Sequence, residues 1–302
     1  MFTSGARLGF GINMQKINAL FPMSGLYLLA LTLALPACDE PIENEESAAQ
    51  YDDEDEDAAA RTGQIQLEDG TEVTYAVHNG QAILDGDILL GDADALETSF
   101  RGAGSTVHAW GGIWPGGVVY FQIQPGFSAN YLVPAIQHIE ALTGIQFVNY
   151  AHPGGYVEIG YFYGGCSANI GRNTNGVTRL NVGPGCDNLV TWVHEFGHTV
   201  GLHHEQSRSD RDYHVNILWQ NINPSWYSAF QKYVKLGFTG HDLGPYDHAS
   251  VMHYNSWAFS IDSGNWNAMT ITHKNGSPIQ WAPYNGLSPG DIQSVGMMYG
   301  IW

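Results

Sequence analysis

Apolar positions are spread unevenly along this chain of 302 residues. The first block, residues 25–37, is a largely apolar run of thirteen. A spanning helix needs about 20 apolar residues, so the run reads as the core of a signal peptide ending near residue 38. Met14 is the start that keeps Lys16 as its positive end. Gln64-Ile65-Gln66-Leu67 and Val73-Thr74-Tyr75-Ala76-Val77 alternate as strands do, with Asp69-Gly70 as a hairpin turn between them. From Trp114 the pattern predicts a strand over 118–124, then a helix capped by Ser128-Ala129-Asn130. Leu132, Ile136, Ile139 and Leu142 form the apolar stripe of that helix. Further strands are expected at 155–161 and 178–182, a second helix from about Leu189, and a closing helix from about Pro289 to Tyr299. Between His204 and that last helix the chain is rich in Gly, Asn, Ser and aromatic residues and has little periodicity.

The second helix carries the chemistry. His194-Glu195-Phe196-Gly197-His198-Thr199-Val200-Gly201-Leu202-His203-His204-Glu205 spells H-E-x-x-H-x-x-G-x-x-H-E. Each helical residue turns by about 100°, so His194 and His198 share a face one turn apart. Two imidazoles so placed bind one zinc ion, and Glu195 beside the first can serve as general base. Gly201 enters φ > 0 at little cost, which ends the helix and brings His204 back as a third ligand. Three neutral nitrogen ligands leave one position open for water, as in a catalytic rather than a structural zinc site.

Gln206-Ser207-Arg208-Ser209-Asp210-Arg211-Asp212 follows, and Ser250-Val251-Met252-His253-Tyr254 lies farther on. The Glu after the third His, the R-x-D-R-D tail and the M-H-Y turn together resemble the astacin family of zinc metalloendopeptidases, in the metzincin clan. Trp114-Pro115-Gly116-Gly117-Val118-Val119-Tyr120 resembles the start of its catalytic domain, and Leu287-Ser288 through Asp291 to Tyr299 resembles its end. The likeness covers roughly residues 101–302. It implies an α+β fold in which a sheet-bearing upper lobe and an irregular lower lobe flank a cleft. It also implies one Zn2+ per chain, protein or peptide substrates, and a monomer.

The resemblance assigns further roles. Tyr254 would ligate zinc at rest and bond the transition state, and Met252 would lie under the site as an apolar support. Glu205 would reach the new N-terminus after propeptide removal. Arg208, Asp210, Arg211 and Asp212 would form a structural salt-bridge network, while His203 is packing or surface. Cys166 and Cys186 match a family disulfide. The family's other usual disulfide has neither partner here: Thr143-Gly144-Ile145 and Gly300-Ile301-Trp302 stand in those places. Leu84-Asp85-Gly86-Asp87-Ile88 resembles the propeptide motif F-x-G-D, whose aspartate caps the zinc, although Leu replaces Phe. Asp87 is the expected latch and Asp92 the alternative. Lys274 falls near the place where acid-preferring relatives carry an arginine; the other reading is a solvated loop lysine. An inactive zinc-binding adhesion protein on the same fold is the competing function, and the retained Glu195 argues for the enzyme.

Charge and cysteine content refine the organisation. The formal net charge is −19, and residues 39–57 carry eleven acidic residues and no basic one. Such a surface argues against nucleic-acid binding, which needs Lys and Arg to neutralise phosphate. The acidic tract is self-repelling and extended. Leu35-Pro36-Ala37-Cys38 resembles a bacterial lipobox, in which Cys38 would be lipidated and tether the enzyme to a membrane; an ordinary secretory signal cut nearby is the alternative. The expected order is signal 1–38, acidic linker 39–58, propeptide 59–103 and catalytic domain 104–302, in an exported protein.

Overall fold

The computed structural model describes residues 61–66, 72–96, 112–173, 176–236 and 240–301. The apolar run at 25–37, Cys38, the acidic tract, the Asp69-Gly70 turn and the junction near residue 103 lie outside the described residues. Among the described residues no helix is long and apolar enough to cross a membrane.

Eight strands in chain order build most of the molecule: β1 (Arg61–Gln66), β2 (Glu72–His78), β3 (Gln81–Leu84), β4 (Ile88–Asp92), β5 (Val118–Ile123), β6 (Gln146–Asn149), β7 (Val157–Gly160) and β8 (Cys166–Ala168). With β9 (Thr178–Val182) they form one nine-stranded sheet in the order β1-β2-β3-β4-β8-β9-β7-β5-β6. The first four strands are an antiparallel meander, with Ile65 opposite Val73 as the alternating pattern requires. The meander joins the rest through a parallel contact of β4 with β8, where Ile88 pairs with Ala168. Strands β5, β6, β7 and β9 run parallel, and β8 lies antiparallel to β9. Val119, Val157, Ile159 and Leu180 are fully buried, as expected for parallel strands covered on both faces.

Helices α1 (Leu132–Leu142) and α2 (Leu189–Val200) pack on each other, and α2 also packs on β8 and β9. Trp192, Val193 and Phe196 of α2 join Ile139, Leu180 and Val295 in the main core. Each such side chain contributes about 1.5–3 kcal/mol by leaving water. Helix α2 is capped by Asn188, whose side chain accepts from the Thr191 N–H at 3.0 Å, and ends at Gly201 with φ 111°. Helix α3 (Pro289–Tyr299) begins with a reciprocal Ser288–Asp291 capping box.

The cap expected for α1 is not used. The N-cap is Tyr131 and makes no side-chain cap bond. Asp187, far along the chain, accepts from the Asn130 and Tyr131 N–H groups at 2.9 and 3.1 Å and from Trp192 Nε1 at 2.9 Å. One carboxylate thus ties the start of α1 to α2.

From residue 205 to 288 the chain runs through 3₁₀ turns around a small core of Val215, Ile222, Phe230, Tyr246, Ile271 and Ile279. Its regular element is a two-stranded antiparallel pair, β10 (Val215–Ile217) with β11 (Ile271–His273). A mixed sheet with helices above this irregular part makes an α+β architecture.

Candidate active site

His194 and His198 rise from the buried face of α2, with 6% and 0% of their surface exposed. The turn at Gly201 returns the chain so that His204, 1% exposed, faces them. The Nδ1 atom of His194 meets the Val251 carbonyl at 2.8 Å, and that of His198 meets the Leu202 carbonyl at 2.9 Å. A carbonyl only accepts, so each Nδ1 carries the proton and each Nε2 presents its lone pair inward. Such outer hydrogen bonds fix the tautomer that a metal ligand needs. The Nε2 atoms of the three histidines and one oxygen of Asp87 all lie within 4.8 Å of one another. His198 Nε2 is buried and has no hydrogen-bond partner. Buried polar atoms without a partner are costly, so a centre of three inward imidazoles fits zinc on its donor set and on its unmet valence.

Met252 explains a residue that the spacing of the histidines leaves open. A Cβ on Gly197 would collide with Met252 Sδ, so the glycine in H-E-F-G-H makes room for the methionine under the helix. The Glu205 N–H bonds the Met252 carbonyl at 3.1 Å, which holds the turn to the end of the histidine segment.

Asp87 enters from the turn between β3 and β4. Its Oδ2 stands 3.2 Å from His194 Nε2 and 3.1 Å from His204 Nε2, and its Oδ1 3.8 Å from His198 Nε2. Burial pushes this carboxyl up, but the neighbouring imidazoles of His204, His194 and His198 hold it well below the usual range. Asp92 is elsewhere, accepting the Ala95 N–H at 2.8 Å. The Tyr254 hydroxyl donates to the Asp85 carbonyl at 2.6 Å. Gly86, between the two aspartates, has φ +91° and lies against Phe259, where a Cβ would clash with the ring. Both conditions demand glycine there.

Glu195 is 1% exposed, and its Oε2 has no partner. Burial, then the Asp87 charge, pushes its carboxyl well up. Burial does the same to the Tyr254 hydroxyl, with Asp87, Asp85 and Glu195 adding to it.

Glu205 accepts from the Asp247 N–H at 2.7 Å and pairs with Arg208 at 3.3 Å. It lines a 560 Å³ cavity with Gly112, Ile113, Tyr233 and Asp242. Burial raises its carboxyl to about 8, against the Asp247 N–H and Arg208, which pull it down. Arg208 also bonds Asp210 at 2.9 Å, while Arg211 and Lys232 share Asp212 at 2.7 Å each. His203 packs near Tyr233, with ring centres 5.7 Å apart. Cys166 and Cys186 form a disulfide with Cα atoms 5.8 Å apart. Lys274 follows β11, its Nζ 3.2 Å from both the Val215 carbonyl and Asn216 Oδ1. The carbonyls of Val251, Leu202 and Asp85 belong to the site, yet backbone acceptors carry no residue signature in a sequence. Trp281 is a further member, through its side chain: its Nε1 donates to the Val251 carbonyl at 3.0 Å, and its ring meets that of His194 edge-on.

Known proteins agree with this geometry. Residues 107–300 match the family model described as Astacin, a peptidase family. Blastula protease 10 of Paracentrotus lividus is 33% identical over 195 residues, 62% of this chain and 32% of that protein. Zinc metalloproteinase nas-6 of Caenorhabditis elegans is 36% identical over 192 residues, 62% of this chain and 53% of that protein. The chain therefore spans about a third to a half of the length of these relatives. The solved structure of high choriolytic enzyme 1, a hatching enzyme zinc-protease from Oryzias latipes, superposes with a TM-score of 0.54 at 29% identity. That match covers 64% of this chain and 94% of the other. With the family model matched from the first catalytic strand to the last helix, the chain belongs to the astacin family.

Proposed function

We propose that this protein is an exported zinc-dependent endopeptidase made as a latent proenzyme. The observation that carries the proposal is the convergence of three Nε2 atoms and an aspartate from a preceding segment in one place, with Glu195 on the same helix as two of the histidines, buried and with Oε2 unpartnered.

His194, His198 and His204 would hold the zinc. When bound, the metal supplies Lewis acidity to a carbonyl and acidifies a water molecule. Glu195 takes a proton from the attacking water and returns it to the leaving amine. The Tyr254 hydroxyl donates to the oxyanion once freed from Asp85. Met252 supports the imidazoles from below. Asp87 fills the position that water and substrate would use, which accounts for latency. Removal of residues 59–103 would expose the site, and the cavity beside Glu205 would take the new N-terminal ammonium. We place the protein outside the cytoplasm on the strength of the apolar run at 25–37 and the Cys166–Cys186 disulfide, with Cys38 as the lipid-bearing tether. For Lys274 we propose only a weak preference for acidic residues after the scissile bond.

Casein digestion by protein cleaved near residue 103, with and without a zinc chelator, tests the proposal. Glu195→Gln should keep its zinc and lose at least about 10²-fold in turnover, the usual scale for a general base. Zinc-loaded, cleaved protein that digests nothing would point to the inactive adhesion protein instead.

A further inference from the structure

A second group of imidazoles lies outside the site just described. In the β10–β11 pair Val215 stands opposite His273. His214, one residue before β10, and His273, the last of β11, therefore share one end of the ribbon. His248 comes over that end from the segment ahead of Met252. Its ring centre is 4.3 Å from that of His273, at 53°, and 6.4 Å from that of His214. The three imidazoles of the first site stand 4.8–5.4 Å apart by the same measure, so the His248–His273 pair is the close one and His214 stands farther off, its Nε2 3.9 Å from Asp210 Oδ2. A 490 Å³ hollow opens onto the group, lined also by Tyr213, Lys274 and Ser277.

Two observations say what this hollow takes. The Nδ1 atom of His248 is buried without a hydrogen-bond partner, an arrangement that costs free energy until something fills it. No carboxylate lines the hollow, which disfavours Ca2+ and Mg2+, while imidazole suits zinc, copper and nickel. His253, close by, is spent: its ring nitrogens meet the Tyr254 carbonyl at 2.7 Å and the Tyr246 hydroxyl at 2.8 Å. Lys274 is turned away onto Val215 and Asn216. Burial, with His273 and His214 as neighbours, holds His248 below the usual imidazole range against the opposing pull of Asp247. An anion would need these rings charged.

We infer that His248 and His273, with His214 at the rim, form a second binding site for a divalent transition cation, separate from the histidines of α2. Zn2+ bound there links the segment leading to Met252 and Tyr254 to the end of β11. Ligand bound only by the native state stabilises it.

The test uses the full chain, freed of any purification tag and dialysed against micromolar Zn2+. Two zinc ions per chain are expected. His273→Asn should reduce this to one and abolish the rise in Tm on adding Zn2+ beyond the first equivalent. His194→Ala with His198→Ala should lose the other ion and keep this one, which makes failure here distinguishable from failure of the peptidase proposal. Where His248→Gln does not fold, His273→Asn at the partly exposed strand end carries the test. A single zinc in the wild-type chain, or two in His273→Asn, overturns the inference.

Discussion

Two turn residues flanking Gly86 occupy the candidate centre in different ways: the Asp87 carboxylate faces three imidazoles, and the Asp85 carbonyl takes the Tyr254 hydroxyl. Hydrogen bonds to charged groups contribute about 1.5–3 kcal/mol, so Asp87→Ala in the uncleaved chain should raise peptide hydrolysis by roughly 10- to 100-fold. Asp92→Ala should leave latency intact, because Asp92 lies away from the three imidazoles and accepts the Ala95 N–H. A fluorogenic peptide assay on an uncleavable proform separates them; leakage from Asp92→Ala alone would reverse the assignment. Gly86→Val keeps both aspartates but meets a positive φ and the Phe259 ring, so it should leak as well. The histidines were legible because helical spacing is a local rule. Asp87 was legible only as one of two, since Gly-Asp pairs are ordinary turn chemistry. The Gly197–Met252 contact and the His214–His248–His273 group were not legible, because distant segments meet there.

Among the elements, α2 and α3 carry their own caps in sequence, and both were readable at their ends. Helix α1 was not, because Asp187 caps it from the far side of the disulfide loop. The short strands β6, β8, β10 and β11 escaped for a related reason: three or four residues give too little alternation to read. Asp187→Ala removes the bonds to two N–H groups and to Trp192, and should cost about 1–3 kcal/mol in urea unfolding of the matured domain. Burial pushes the Asp187 carboxyl up, but its bonds with Asn130, Trp192 and Tyr131 prevail and lower it. With the folded pKa depressed, the stabilisation is present above the ordinary aspartate range and is lost as pH falls through the folded value. The gap between wild type and Asp187→Ala should therefore close at strongly acid pH. A gap that persists there would mean that packing, not the carboxylate, is what the variant loses. Where the family's second disulfide would sit, Ile301 packs directly on Gly144. Ile301→Ala should then destabilise by about 1–2 kcal/mol, less than a fully buried isoleucine would.

At the scale of the whole molecule, the segment proposed as a propeptide is part of the sheet. Strands β1 to β4 extend it past β8, held by the Asp87 carbonyl to the Ala168 N–H at 2.9 Å and by Asn169 Nδ2 to the Leu89 carbonyl at 2.7 Å. The meander also shares a core with Ile170, Tyr233 and Leu236, on the other side of the expected cleavage region. Cutting the chain between residues 96 and 112 breaks none of these contacts. Activity should therefore appear only as the meander dissociates or is degraded, and it should recover faster on dilution. Its departure leaves β8 as a free edge, to which an extended substrate can add as a strand. The same contacts predict that a peptide of residues 59–96 inhibits the matured enzyme in trans, and that its Asp87→Ala version binds roughly 10- to 100-fold more weakly. Steady-state inhibition by the two peptides, measured beside the time course of activity after cleavage, checks both. Immediate, concentration-independent activity with no inhibition by either peptide would mean that covalent linkage alone keeps the meander in place.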